Sequence, residues 1–233
     1  MGTICLRKES DLFNIYQMLY RKLGPQHWWP GDTPFEVVVG AILTQNTAWT
    51  NVEKAIGNIK KEASLSFEAM RKVSSHKIAR WIRPSGYFNL KAKRLKAFLN
   101  WLYQRCGGRL EELKKEKTAD LRKELLEVYG IGPETADSIL LYALGRKSFV
   151  VDAYTKRIFS RHGFIHENAL YEDVKSIFES ALPKSLKIYN ELHALIVNVG
   201  KNFCRKKPLC HLCPLEKDLL KIKNQKPKIK MTM

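Results

Sequence analysis

Residues 125–157 read LLEVYGIGPETADSILLYALGRKSFVVDAYTKR, and the order of breaks and apolar residues in that stretch decides the fold. An apolar run at helical spacing stops at Tyr129-Gly130-Ile131-Gly132, where two glycines permit the positive-φ backbone that a Cβ resists. Pro133 suits the first turn of a following helix, Glu134 favours its positively polarised end, and Ala136, Ile139, Leu140 and Ala143 supply the period. The stretch therefore predicts helix, Gly-x-Gly hairpin, helix. Amides around Gly130 and Gly132, with the new helix behind them and Thr135 in its first turn, point outward and can hold a phosphate. A short apolar run, Phe149-Val150-Val151, then delivers Asp152 just ahead of another helical segment, Tyr154 to Arg161. An aspartate in that place is a natural N-cap, and capping leaves a carboxylate able to do chemistry.

The totals agree with a partner made of phosphates. The chain has 233 residues, enough for one large or two modest domains, and its 41 lysines and arginines against 23 acids give a net charge of +18. Such a surface attracts polyanions, nucleic acid first. Anionic membrane is the alternative, but no apolar stretch approaches the roughly 20 residues of a spanning helix, and no membrane role is expected. The first residues carry no signal-peptide pattern, so a cytoplasmic or otherwise intracellular location is expected. Of five cysteines, three fall between Cys204 and Cys213, a spacing that suits a ligand cluster better than a secreted disulfide framework.

Working outward, every segment reads as helix. Leu12, Ile15, Met18, Leu19 and Leu23 share one face, and Gly24-Pro25 ends it. Trp28-Trp29-Pro30 follows in a loop, where two adjacent tryptophans cannot share a single helix stripe. Phe35 to Leu43 is apolar throughout after Glu36, as in a helix buried on most sides, and Thr44-Gln45-Asn46-Thr47 stops it before a helix from Trp49 to Ile59. From Asn89 an amphipathic helix carries Lys91, Lys93, Arg94 and Lys96, charges whose usual place is a solvated face. Leu121 to Val128 supplies the first hairpin helix, and helices at 154–162, 171–182 and 187–201 follow. No β-alternating run or internal repeat is found, so the fold class is all-α. Residues 217–233, rich in lysine, read as a basic flexible tail.

The Gly-rich hairpin followed by V-V-D-x-x resembles the helix-hairpin-helix DNA glycosylases of the endonuclease III superfamily. WWP followed by GAILTQNT is similar to their 3-methyladenine DNA glycosylase III branch. This resemblance implies a six-helix barrel over 26–146 with the hairpin motif at 119–145, a second helical domain from 1–25 and 147–216, and an active site in the cleft between them. It puts Asp152 in the catalytic position, Trp28, Trp29, Pro30 and Trp49 around an apolar base pocket, and Gln45 or Asn46 in the wedge that fills the gap left by a flipped base. Gly130, Gly132 and Thr135 would meet the DNA backbone. Bifunctional members place a Schiff-base lysine where this sequence has Glu134. The expectation is thus a monofunctional glycosylase that acts as a monomer on double-stranded DNA and removes an alkylated purine such as 3-methyladenine. The competing readings are an oxidised-pyrimidine glycosylase with lyase activity and a noncatalytic helix-hairpin-helix DNA-binding protein.

Cys204, Cys210 and Cys213 resemble the superfamily's iron–sulfur loop, C-x6-C-x2-C-x5-C. Here the first gap is five, and the fourth ligand position falls on Leu219. Three outcomes stand open: a 4Fe–4S cluster completed by Asp218, solvent, Cys5 or Cys106; zinc held with His211; or a loop that binds no metal.

Overall fold

The computed structural model describes residues 10–218, all helix, turn and loop, with no strand among them. Cys5, Leu219 and the tail beyond it lie outside the described residues. The chain divides into two compact units, residues 29–148 in one and the described residues to either side in the other.

The unit formed by 29–148 is built around its most apolar helix, α2 (Pro34–Leu43), in which every residue after the proline is buried. Thr33 starts it, its hydroxyl accepting from the Glu36 amide at 3.1 Å, with Pro34 at the first helical position. Around it run α3 (Trp49–Glu62), α4 (Phe67–Lys72), α5 (Ser75–Trp81), α6 (Phe88–Cys106), α7 (Thr118–Glu127) and α8 (Pro133–Ser138), the last widening into a π-turn over Ile139–Ala143. Helix α2 touches α3, α6, α8 and that π-turn, so the element with no polar face is the one wrapped on all sides. The short helices α4 and α5 were not anticipated from sequence. Each is too brief to show a period, and each is set by a serine cap, Ser66 on Ala69 and Ser74 on Lys77.

The other unit packs α1 (Ser10–Leu23) with α9 (Ala153–Arg161), α10 (Tyr171–Ala181) and α11 (Leu186–Asn202). Its core is aromatic. Phe149 stacks on Phe178 at 4.4 Å between ring centroids, and Phe178 and Tyr189 meet Phe159 and Phe149 edge-on. Pairs of this kind add roughly 0.5–1.5 kcal/mol each beyond the area they bury.

The basic face expected on α6 is a correction. Lys93 is exposed, but Lys91 is only 1% exposed, and Lys96 and Arg94 are half-buried. Lys91 Nζ donates to the carbonyls of Leu43 at 2.9 Å and Ser85 at 2.6 Å, closing the C-terminal end of α2 and the turn ahead of α6. Lys96 does the same for Arg71 and Val73 at the end of α4. Helix ends present carbonyls with no intrahelical donor, and an ammonium on a long stem is suited to answer two of them at once. Burial, with the Arg94 charge adding to it, lowers Lys91 to about 8.

The sign of the pH effect follows. Between pH 8 and the ordinary 10.5 the folded chain holds fewer protons at Lys91 than the unfolded chain, so this residue's contribution to stability rises with pH across that window. Lys91→Met should cost about 1–3 kcal/mol at neutral pH through the two carbonyls it leaves unanswered. The gap between wild type and Lys91→Met in urea melts should widen from pH 8 towards 10; a gap that narrows would contradict the burial assigned here.

Candidate active site

Asp152 is brought to its place by a segment with no strand to lean on. Phe149, Val150 and Val151 lie outside any helix and are essentially unexposed, and α10 supplies the hydrogen bonds that a neighbouring strand would have given. The Phe149 amide donates to Glu179 at 2.8 Å, the Val151 amide to the Tyr171 hydroxyl at 3.3 Å, and Lys175 Nζ donates to the Phe149 carbonyl at 3.3 Å and to Glu179 at 2.6 Å. The next residue opens α9. Asp152 Oδ1 accepts from the Thr155 amide at 2.7 Å and the Thr155 hydroxyl at 2.8 Å, with the reciprocal contact from the Asp152 amide completing a capping box. Oδ2 faces Nε2 of His193 at 3.7 Å. The Asp152 side chain keeps 12% exposure, so the acid is screened from bulk water without being sealed in.

His193 was not singled out by sequence. It is a lone histidine inside an apolar helix, and the only signal was that an ionisable ring stood where leucine would serve. Burial lowers its pKa below the ordinary value, with the nearby Asp152 charge pulling the other way.

The expected base-pocket residues fall in both units, Trp28 with Asp152 and Trp29, Pro30 and Trp49 in the 29–148 unit. Trp29 meets the Trp49 ring edge-on at 5.1 Å and the Tyr142 ring at 5.0 Å, and Trp49 Nε1 donates to Glu53 at 2.9 Å. All three rings are half-buried against the core of that unit, and Pro30 is exposed. Tyr142 escaped the sequence reading because it lies far along the chain in the π-turn, with spacing that marks it only as part of a helix. The two tryptophans close over Gly40 of α2, where a Cβ would stand 3.3 Å from Trp49 and 3.5 Å from Trp29.

The hairpin is braced from within. Gly130 has φ +82°, and a Cβ there would run into the side chain of Arg94. Gly132 departs from expectation: it is extended, at φ −93°, and precedes α8 with open space where a side chain would be. Gln45 Nε2 donates to the Gly130 carbonyl at 3.0 Å and to the Thr135 hydroxyl at 2.9 Å, while Arg94 donates to Gln45 Oε1. Thr135 is buried, and its hydroxyl serves this internal bond. Asn46, next along, is exposed at φ +53°. Of the two wedge candidates, one ties loop to hairpin and the other stands at the loop's tip.

The cysteine loop hangs from α9. Arg157 donates to the carbonyls of Cys204 at 2.8 Å and Gly200 at 3.0 Å, and Arg161 donates to Cys204 Sγ at 3.2 Å and the Arg205 carbonyl at 2.7 Å. Cys204, Cys210 and Cys213 line one cavity of about 40 Å³ together with Arg161, His162 and Phe203. Among the described residues no three histidine, cysteine or acidic side chains are grouped closely enough to hold an ion. Asp218 Oδ2 and His162 Nδ1 share a hydrogen bond at 2.7 Å, and His211 is exposed.

With that geometry in view, the comparisons agree. A family model for HhH-GPD superfamily base excision DNA repair proteins matches residues 39–184. A Methanocaldococcus jannaschii protein provisionally named a DNA repair glycosylase is 55% identical over 210 residues, 90% of this chain and 96% of the relative. The crystal structure of the H. pylori 3-methyladenine DNA glycosylase bound to 1,N6-ethenoadenine superposes with a TM-score of 0.72 at 29% identity, covering 84% of this chain and 98% of that one. A non-covalent endonuclease III–DNA complex superposes with a TM-score of 0.78 at 19% identity over 94% of this chain and 100% of that one, a likeness of fold. The chain belongs to the HhH-GPD superfamily of base excision DNA repair proteins and is a DNA glycosylase of that class.

The bracing predicts a clean result. Gln45→Leu removes the donor to Gly130 and Thr135 and should cost about 1–3 kcal/mol. Amide hydrogen exchange at 128–132 should accelerate in the variant relative to the rest of the unit; unchanged exchange there would refute the brace.

Proposed function

We propose that the chain is a monofunctional DNA glycosylase that hydrolyses the N-glycosidic bond of a flipped, alkylated purine such as 3-methyladenine. The observation that carries this reading is Asp152, one oxygen pinned by the Thr155 cap and the other left on a side chain that retains exposure. As the C1′–N bond breaks, its electron pair leaves with the base and positive charge grows on the sugar. A fixed carboxylate stabilises that charge, and a water that attacks C1′ gives its proton to the same group. An alkylated purine departs as a neutral base, so no strong acid is needed to protonate it.

The remaining assignments follow chemical type. The Trp29, Trp49 and Tyr142 rings offer π faces and edges, and aromatic faces attract a cationic base by roughly 0.5–2 kcal/mol. Asn46 is assigned the wedge, since Gln45 is committed to the hairpin. The Gly130–Gly132 turn, whose one side chain, Ile131, is buried, is assigned a phosphate, and the +18 net charge supplies nonspecific affinity that falls with salt. Glu134 occupies the position where bifunctional members carry their amine, so no Schiff base forms. The similarity to the H. pylori 3-methyladenine glycosylase supports the alkylated-purine reading.

Three assays test it on a panel of duplexes that are methylated, contain ethenoadenine, contain oxidised pyrimidine, or carry T:G and U:G mismatches. Methylated or ethenoadenine duplex should lose its base and leave an uncut abasic strand, and borohydride should trap no protein–DNA adduct; a trapped adduct would establish lyase chemistry instead. Asp152→Asn should lower excision by about 10²-fold or more with duplex affinity retained, and retained turnover would remove the residue from the mechanism. Trp29→Leu should reduce excision about tenfold or more while leaving affinity for undamaged duplex within about twofold.

A further inference from the structure

The buried imidazole beside Asp152 has no role in the scheme above. His193 lies in the middle of α11, 4% exposed, and the residues one turn away on its face, Tyr189, Ile196 and Val197, are all buried. Packing alone would be served there by leucine, and a polar ring taken out of water carries a cost unless something answers it. What stands opposite is the second carboxylate oxygen of Asp152, the one the helix cap leaves unused.

We propose that His193 is a positioning residue for the catalytic carboxylate, its Nε2 edge holding Asp152 Oδ2 in a single orientation while Thr155 holds Oδ1. The inference rests on the reading of Asp152 given above. The Thr155 bonds stop the carboxylate's rotation at Oδ1, the His193 edge stands 3.7 Å from Oδ2, longer than a hydrogen bond, as a wall on the other side, and the negative charge has to stay intact. An uncharged ring is needed for the second condition. An imidazolium at 3.7 Å would cancel the charge that must act on the sugar. Burial supplies that condition, since it moves His193 below its ordinary pKa against the pull of Asp152.

Other charges close to α11 are committed elsewhere. From α9, Arg157 donates to the Gly200 and Cys204 carbonyls and Lys156 to the Ala169 carbonyl. On α11 itself, Glu191 accepts from the Gln26 amide at 2.6 Å, and Tyr16 of α1, raised by burial and by Glu191, stays neutral in the working range. Asp152 is therefore the charge that governs the ring. The sign follows: His193 becomes protonated only as pH falls below its ordinary range, and catalysis is lost there because the carboxylate's field is quenched.

The test is single-turnover base release from whichever duplex of the panel wild type processes fastest, read across pH for His193→Ala and His193→Gln, with melting temperature and duplex affinity measured alongside. His193→Ala should slow the chemical step about tenfold or more with affinity within about twofold. His193→Gln, whose amide keeps a polar edge beside Oδ2 and does not titrate, should recover most of the rate at neutral pH and lose the acidic limb attributable to the ring. If His193→Ala unfolds, the glutamine variant decides alone. A folded glutamine variant with the wild-type acidic limb, or an alanine variant at the wild-type rate, overturns the inference. Asp152→Asn separates the two failures: an inactive Asp152→Asn beside fully active His193 variants sinks the positioning role only, whereas an active one sinks the reading beneath it.

Discussion

One carboxylate caps a helix and, in the function proposed above, also acts on the sugar, and the unit around it is organised so that the two tasks do not compete. Asp152 terminates a buried, non-helical segment and starts α9, and its Oδ1 bonds to Thr155 secure both the helix and the acid. An N-cap contributes about 1 kcal/mol, a modest gain in stability. Its larger consequence is geometric: the oxygen that caps cannot rotate, so the one beside it is fixed as well. The same helix then reaches back through Arg157 and Arg161 to carry the end of α11 and the cysteine loop. A change that frees Asp152 from its cap would loosen the start of the helix on which that loop hangs.

The 29–148 unit answers a different constraint. Helix α2 is apolar on every side and ends inside the unit, so its last carbonyls need donors that the core does not supply. Lys91 meets that need from α6, and Arg94, one turn on, orients Gln45, which in turn fixes the hairpin at Gly130 and Thr135. A chain of polar contacts thus runs from the end of the buried helix to the turn assigned to DNA. These bonds join residues 48 to 90 positions apart along the chain, so the hairpin's position is inherited from α2 and α6 rather than from its own few residues.

Much of this was legible in the residues. The helices with long apolar periods, the stop at Gly130, the start at Pro133 and the N-cap at Asp152 are local features, and local features are written in sequence. What was missed depends on neighbours distant along the chain. Lys91, Lys96 and Arg94 read as a solvated face because lysine and arginine usually are, and nothing in the string says that helix ends lie beneath them. Thr135 and Gln45 were placed at the DNA by resemblance, and that they answer each other across 90 residues is not written in either segment alone. Gly132 read as a second positive-φ glycine, while the turn needs that geometry only at Gly130. His193 and Tyr142 carried no signal that periodicity could expose, since their meaning lies in Asp152 and Trp29.

The most direct measurement is single-turnover base release by Thr155→Val, which keeps the shape of the side chain and the amide bond to Asp152 Oδ1 and removes the hydroxyl, the second donor that holds that oxygen. If capping is what aims the acid, the variant should fold, bind duplex as wild type does, and release base about tenfold or more slowly. A variant that binds the DNA equally well and works at the wild-type rate would contradict the claim that the two-donor hold on Oδ1 aims the acid.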